Sequence, residues 1–97
     1  MSIEQAGNVG IGTTSPDTKA HIMAGDASAT SNSVSTLTLE DNDHVGLQFL
    51  SPNDKATYIM CGDPQSDFAG GIRYDLSDNS LAFKANGNYY FQIKYFF

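Results

Sequence analysis

Three side chains in this sequence have the chemistry of metal ligands or catalytic groups: His21, His44 and Cys61. A zinc site needs several ligands at defined spacing, and neither histidine has a second histidine close to it in the sequence. Cys61 lies among apolar residues without an adjacent base to activate it, so we expect a small, buried hydrophobic side chain. The sequence therefore predicts no metal centre within one chain and no enzyme activity.

Pairs of aspartates on short polar segments offer the oxygen ligands that calcium prefers. The pairs are Asp41 with Asp43, Asp63 with Asp67, and Asp75 with Asp78. None of these segments has the spacing of an EF-hand loop. Aspartate is also a common turn former, because its carboxylate accepts hydrogen bonds from nearby backbone N–H groups. We interpret the pairs as turns and keep calcium binding as the alternative.

Glycine-rich residues 7–12 read G-N-V-G-I-G, which is G-x-x-G-x-G. This order differs from the dinucleotide fingerprint G-x-G-x-x-G, and no helical pattern follows to direct its N-terminus at a phosphate. The sequence predicts no cofactor.

Five basic against eleven acidic residues leave a net charge of −6, which disfavours nucleic acid as a partner. No apolar run approaches the length of a membrane span, so we expect no membrane insertion.

Short apolar-polar alternations separated by turn residues follow one another along the chain, and no segment has helical periodicity. Val45, Leu47 and Phe49 alternate with polar or small residues, and residues 86–88 read N-G-N, a strong hairpin signal. We predict an all-β fold, a small antiparallel meander or sandwich. Its parts are an N-terminal repeat at residues 1–24, a flexible polar linker at 25–33, and a β-meander at 34–97.

The N-terminal repeat begins with Val9 and Ile11, which alternate with Gly10 and Gly12. A turn cluster at 13–17 and a returning strand at 19–23 predict a β-hairpin-like unit. Glycine weakens a strand unless another backbone must come close, so we expect chains to pack on the glycine face. On this hypothesis Gly10→Val blocks assembly.

Residues 7–16 and 19–22, G-N-V-G-I-G-T-T-S-P followed by K-A-H-I, resemble the shaft repeat of tailed-phage tail fibres. Residues 70–83, with Asn86 and Gly87, are similar to a companion segment of the same fibres. In that family the repeat often precedes a C-terminal chaperone domain of the endosialidase type. The resemblance implies a non-enzymatic structural virion protein, a homotrimeric tail-fibre module for host attachment. A capsid head fibre or decoration protein and a glycan-binding adhesin tip are the alternatives.

The same resemblance implies a location on the tail or capsid surface of the virion, after assembly in the host cytoplasm. The expected partners are two further copies of the chain, in an intertwined or side-by-side homotrimer, together with other virion proteins and a host-surface glycan. The N-terminal residues lack the basic and apolar regions of a secretory signal, as expected for a protein assembled in the host cytosol.

The final strand, residues 89–97, is apolar on both faces, whereas the family usually has a polar, charged strand there. Exposed, such a strand is an aggregation hazard, so we expect another subunit to cover it. Its odd-numbered residues are predicted to share one face. The predicted trimer interface is Val9, Gly10, Ile11, Gly12, Ile22, Tyr89, Phe91, Ile93, Tyr95 and Phe97.

Aromatic residues elsewhere are expected to form cross-strand pairs in the core and the interface. Phe68 is the exception, because the pattern places it in a loop. Together with Asn53, in the turn at 51–54, it is the candidate receptor contact.

Overall fold

The computed structural model describes residues 1–94, which form eight β-strands in two four-stranded sheets and no helix. The all-β prediction is confirmed. The chain divides into two compact units, Met1–Gln48 and Phe49–Phe97, and each unit contains one sheet. The predicted boundary at residue 33 differs from this division, because residues 34–48 belong to the first unit.

The first unit contains β1 (Ser2–Ile3), β2 (Val9–Ile11), β3 (Ala20–Met23) and β4 (Leu37–Glu40), hydrogen-bonded in that order. β1 and β2 are antiparallel, whereas β2, β3 and β4 are parallel. The prediction of a β-hairpin-like repeat is therefore wrong. Residues 12–19 are a crossover that returns the chain to the same end of the sheet. Gly12 begins the crossover with a φ of +80°, a left-handed conformation that favours glycine.

The predicted linker at residues 25–33 is part of a second crossover, which joins the parallel strands β3 and β4. Residues 44–50, predicted to be a strand on the alternation of Val45, Leu47 and Phe49, lie outside all strands of the structure. The alternation is present, but no neighbouring strand pairs with this segment within the described part of the chain.

Register and period-two alternation give the first sheet two chemically different faces. The apolar one, the Ile22 face, carries two rows of side chains: Ile3, Val9, Ala20 and Leu37 in one, and Ile11, Ile22 and Leu39 in the other. The opposite one, the His21 face, carries Ser2, Gly10, His21, Met23, Thr38 and Glu40.

Gly10 and Gly12 are packed against their own chain. A Cβ on Gly10 would overlap the backbone oxygen of Thr13, and a Cβ on Gly12 would overlap the backbone oxygen of Met23. The glycines are therefore explained by the first crossover folding onto the sheet. This intrachain contact accounts for both glycines without the close approach of a second chain, and their place in a trimer interface stays a prediction.

The second unit contains β5 (Ala56–Asp63), β6 (Ser66–Asp75), β7 (Ser80–Ala85) and β8 (Asn88–Ile93), a consecutive antiparallel meander. Asn86 and Gly87 form the two-residue β7–β8 turn with φ of 50° and 75°, as their sequence predicts. At the β6–β7 turn, the Ser80 hydroxyl and the Lys94 ammonium hold the pKa of Asp78 below its usual value.

A β-bulge divides the last strand into two parts. Phe83 pairs with Phe91, but Lys84 pairs with Tyr89, so Tyr90 is the extra residue. Tyr89 and Phe91 consequently lie on opposite faces, and the prediction that all odd-numbered residues from 89 share a face is wrong at Tyr89. Tyr95 and Phe97 lie outside the described residues.

The second sheet also has two faces. The Phe83 face carries the rows Thr57, Tyr74, Leu81 and Ile93, and Ile59, Ile72, Phe83 and Phe91. The Arg73 face carries Tyr58, Arg73, Ala82 and Gln92, and Met60, Gly71, Lys84 and Tyr89. Among residues 1–94, the only buried residues with apolar side chains are Pro16 and Ala82. A single chain therefore buries little apolar surface.

The Gly10 contact gives a test of the first crossover. Gly10→Ala is expected to lower the free energy of unfolding by about 1–3 kcal/mol, because the added Cβ overlaps backbone that cannot move freely. Gly46→Ala is the matched control, since a Cβ there has no neighbour within 4 Å, and its effect should stay within about 0.5 kcal/mol. Urea unfolding followed by circular dichroism measures both. Equal effects would contradict the intrachain explanation.

Candidate functional site

His21 is the most buried ionisable side chain of the first unit, with 1% of its surface exposed. The backbone N–H of Asp17 donates to its Nδ1 over 3.0 Å, so Nδ1 carries no proton. Its Nε2 lies 2.8 Å from Glu40 Oε1 and is therefore the protonated nitrogen, donating to the carboxylate. The neighbouring groups thus fix a neutral imidazole in one tautomer.

The second oxygen of Glu40 is also occupied, because the Ala27 backbone N–H donates to Oε2 over 2.8 Å. Asp17 Oδ2 accepts hydrogen bonds from the Ser31 backbone N–H and hydroxyl, each over 3.2 Å. The Ser31 hydroxyl lies 2.8 Å from the hydroxyl of Thr38 on β4. This network, the His21 cluster, connects both crossovers to the sheet.

Asp17, His21 and Glu40 place one potential metal-ligand atom each within 4.8 Å of the others. Metal binding at Nε2 would move the imidazole proton to Nδ1, where it would face the N–H of Asp17. Metal binding at Nδ1 would displace that N–H. Either arrangement loses a buried hydrogen bond, so the donor set does not suit a metal without rearrangement. The parallel pairing of β3 with β4 brings Glu40 to His21, and the first crossover brings Asp17; the sequence pattern predicted neither contact.

A cleft of about 230 Å³ in the first unit lies beside this cluster, lined by Ala27, Ala29, Ser31, Thr38, Leu39, Glu40 and Val45 among others. The Glu40 oxygens are already hydrogen-bonded to His21 and Ala27. Asp41, which also lines the cleft, accepts a hydrogen bond at Oδ1 from the backbone N–H of Asn42.

On the Arg73 face, aromatic rings and two cations lie together. The guanidinium carbon of Arg73 lies 4.3 Å from the centre of the Tyr89 ring. The Lys84 ammonium lies 3.8 Å from the centre of the Phe68 ring and 5.4 Å from that of Tyr89. Phe68 also contacts Tyr58 edge-to-face, with ring centres 5.6 Å apart. Five side chains thus form one aromatic and cationic surface.

Phe68 does not lie in a loop, because β6 begins at Ser66 and includes it. It is half-buried beneath Lys84, whereas Asn53 is exposed in its turn. Of the two candidate receptor contacts, only Asn53 is therefore fully exposed. The prediction that Phe68 lies in a loop is wrong. Their role in receptor binding stays a prediction. Cys61 is exposed, which contradicts the expected burial, since it lies at the edge strand β5 on the apolar face of its sheet.

Both apolar faces are open to solvent in the single chain. On the Ile22 face, Ile3, Ile11, Ile22 and Leu37 are 42–67% exposed. On the Phe83 face, Ile59, Tyr74, Phe83, Phe91 and Ile93 are 38–57% exposed. Val9, Ile11, Ile22, Phe91 and Ile93, predicted to lie in a trimer interface, belong to these faces, whereas Tyr89 lies on the Arg73 face.

Comparisons with protein-family models, curated proteins and solved structures found no match to this chain. Within residues 1–94 there is no helix with the length and hydropathy needed to cross a membrane.

Glu40→Gln tests the hydrogen-bond assignment of the His21 cluster. If the amide oxygen accepts from His21, the amide NH₂ faces the N–H of Ala27; if the amide is turned, it faces the protonated Nε2. One buried donor is left without an acceptor in either case, so we expect a loss of about 1–3 kcal/mol in unfolding free energy. Asp43→Asn, at an exposed carboxylate, is the control. Unfolding curves that coincide for the two variants would contradict the assignment.

Addition of zinc or calcium, or of EDTA, is expected to leave the melting temperature unchanged. The physical reason is that both nitrogens of His21 already have hydrogen-bond partners. Differential scanning fluorimetry of the full chain measures this. A rise of several degrees with zinc that Glu40→Gln abolishes would instead identify the His21 cluster as a metal site, and a rise with calcium would support the aspartate turns.

Proposed function

We propose that this protein is a structural module of a homotrimeric tailed-phage appendage, most simply a tail fibre used in host attachment. The observation that carries the proposal is the exposure of both apolar sheet faces in a chain with almost no apolar core. The resemblance of residues 7–22 to fibre shaft repeats supports a homotrimeric fibre as the kind of assembly. The role is mechanical: shared apolar faces stiffen an elongated particle.

The Ile22 face supports self-association because it is continuous. Its two rows run across β2, β3 and β4, and contain only aliphatic side chains. Exposed apolar patches of this kind are uncommon on monomeric proteins and usually mark an interface. The opposite His21 face is not available for contact with another chain, because the crossovers already cover His21 and Glu40.

The Phe83 face is aromatic as well as aliphatic. Phe83 and Phe91 are direct neighbours with ring centres 5.7 Å apart, yet both remain exposed. Burying such rings stabilises an assembly strongly, because each removes a large apolar area from water. Tyr74 and Leu81 occupy the adjacent row and extend the same surface.

Residues 44–50 provide a third region for contact between chains. Val45, Leu47, Phe49 and Leu50 are 50–83% exposed in a segment that belongs to no strand. An extended segment with alternating apolar side chains can pair with a strand of another chain. Such pairing suits the intertwined form of trimer.

The shaft-like motif corresponds to a strand, a crossover and the next parallel strand. Val9 and Ile11 lie on β2, residues 13–16 in the crossover, and His21 and Ile22 on β3. A unit that adds one parallel strand per copy can be repeated along an axis, which favours a shaft over a globular tip. A glycan-binding tip built on Asn53 and Phe68 has less support, because Phe68 is half-buried in a strand.

Light scattering tests the assembly. We expect a particle of about 31 kDa, three times the 10.4 kDa chain. Leu37→Lys should shift the population toward monomer, because it places a charge on the Ile22 face. Val34→Lys is the matched control, since Val34 is 87% exposed and lies outside the strands.

A parent protein that is a folded monomer at micromolar concentration would overturn the trimer. A Leu37→Lys variant that assembles like the parent would exclude the Ile22 face. Electron microscopy of phage particles labelled with antibody to the chain separates a tail location from a capsid location, and label on neither would overturn the virion assignment.

A further inference from the structure

We propose that the outer edge of β4 accepts residues 44–50 of a second copy of the chain as an added strand. The inference rests on the proposed homotrimer and deepens it, because it names the two segments that pair when chains intertwine. One is a sheet edge without a neighbouring strand, and the other is a strand-like segment outside both sheets.

One side of β4 is free for hydrogen bonding. The backbone oxygen of Thr36 accepts from the N–H of Ala20 over 3.0 Å, and the backbone oxygen of Glu40 is bonded to the same neighbouring segment of chain. Because the peptide groups of alternate residues in a strand point to opposite sides, those of Leu37 and Leu39 point away from β3. No strand in the described part of the chain lies on that side. β4 therefore presents free donors and acceptors to a further strand.

The other three sheet edges are less suited to an added strand. β1 has two residues, β5 is irregular between Cys61 and Asp63, and β8 is interrupted by the bulge at Tyr90. Proteins protect exposed edges with short strands, bulges and charges. β4 pairs with β3 in a regular register, and its one charged residue, Glu40, is buried against His21. The edge of β4 therefore has neither a bulge nor an exposed charge.

Residues 44–50 have the form of a strand but belong to no sheet. The segment contains neither a turn nor a bend, and apolar residues alternate with small or polar ones from Val45 to Phe49. Its large apolar side chains are 50–83% exposed. The segment holds no acidic residue, so its approach to Asp41 at the end of β4 adds no like-charge repulsion in a chain of net charge −6.

Pairing at this edge would continue the apolar surface of the first sheet. Leu37 and Leu39 are the outermost side chains of the Ile22 face. An added strand that directs its alternating apolar residues to the same side extends that face by one strand. A slip of one residue would turn those side chains to the opposite side, so the apolar face also selects the register.

The cleft of about 230 Å³ in the first unit lies at the same edge. It is lined by Thr38, Leu39, Glu40 and Asp41, which alternate between the two sides of the sheet, and by no residue of β3. The cleft therefore lies along the outer side of β4. Strand addition combines main-chain hydrogen bonds with pockets for alternate side chains. The cleft gives a side chain of the incoming strand a place to pack.

The segment does not return along β4 of its own chain. His44 and Gly46 line a second cleft together with Ile22 and Ala24. The chain therefore leaves β4 across the end of the sheet, in the direction of β3, rather than back along the free edge. A second copy of the chain is the source of an added strand that this geometry favours.

Amide hydrogen exchange of the full chain tests the pairing, at protein concentrations above and below the midpoint of association. The N–H groups of Leu37 and Leu39 are expected to exchange at least about tenfold more slowly in the assembled state, together with alternate N–H groups between residues 45 and 49. The N–H of Thr38, which faces β3, should be protected in both states. The N–H of Asn53, in an exposed turn, should be protected in neither.

Leu39→Pro and Leu39→Ala form a matched pair of variants, because both remove the leucine side chain but only proline removes the outward N–H. We expect Leu39→Pro to weaken association roughly tenfold more than Leu39→Ala in light scattering, the loss expected for one hydrogen bond. Equal weakening would overturn the edge pairing. If circular dichroism shows that Leu39→Pro does not fold, the exchange measurement on the parent chain still decides.

The remaining outcomes separate this pairing from the homotrimer itself. Fast exchange at Leu37 and Leu39 in a particle that light scattering shows to be trimeric would overturn the pairing and leave the homotrimer standing. Protection that does not depend on concentration would identify a hairpin within one chain, and protection along β5 instead of β4 would identify a different edge. Either result would overturn the pairing. A parent chain that stays monomeric would overturn both proposals.

Discussion

The hydrogen bonds on the two nitrogens of His21 organise the first half of the molecule. The N–H of Asp17 and the carboxylate of Glu40 hold the imidazole from opposite sides. Asp17 lies in the first crossover, and Ala27 of the second crossover donates its N–H to Glu40, so both crossovers are tied to the sheet at this point. Because successive side chains of a strand point to opposite faces, a polar cluster on the covered face leaves the aliphatic rows on the open one. The buried side chains of this unit are therefore mainly polar, whereas its aliphatic rows are partly exposed.

The second unit also buries little apolar surface, but for a different reason. Its four-stranded meander covers neither face fully, and Ala82 is its only buried apolar side chain among the described residues. Because of the bulge at Tyr90, Tyr89 lies beside Arg73 and Lys84 on one face, whereas Phe91 lies beside Phe83 on the other face. One face is consequently specialised for aromatic and aliphatic contact, and the other for charge.

Period-two alternation and turn chemistry predicted much of the fold. Val9 and Ile11, and the Asn86-Gly87 turn, lie where their sequence indicates, because these signals are local. Strand direction is not local: a short turn cluster at 13–17 is compatible with a hairpin or a crossover, and the parallel register was missed. The partners of His21 depend on that register and were missed with it. Phe68 and Tyr89 were misplaced by irregularities of β6 and β8, which alternation alone does not reveal.

The central claim is that the chain completes its apolar core by association. Thermal unfolding of the full chain over a hundredfold range of protein concentration tests it most directly, because association stabilises a folded state by mass action. We expect the melting temperature to rise steadily with protein concentration, in a single transition. A melting temperature that is independent of concentration, in a folded chain that light scattering shows to be monomeric, would contradict it.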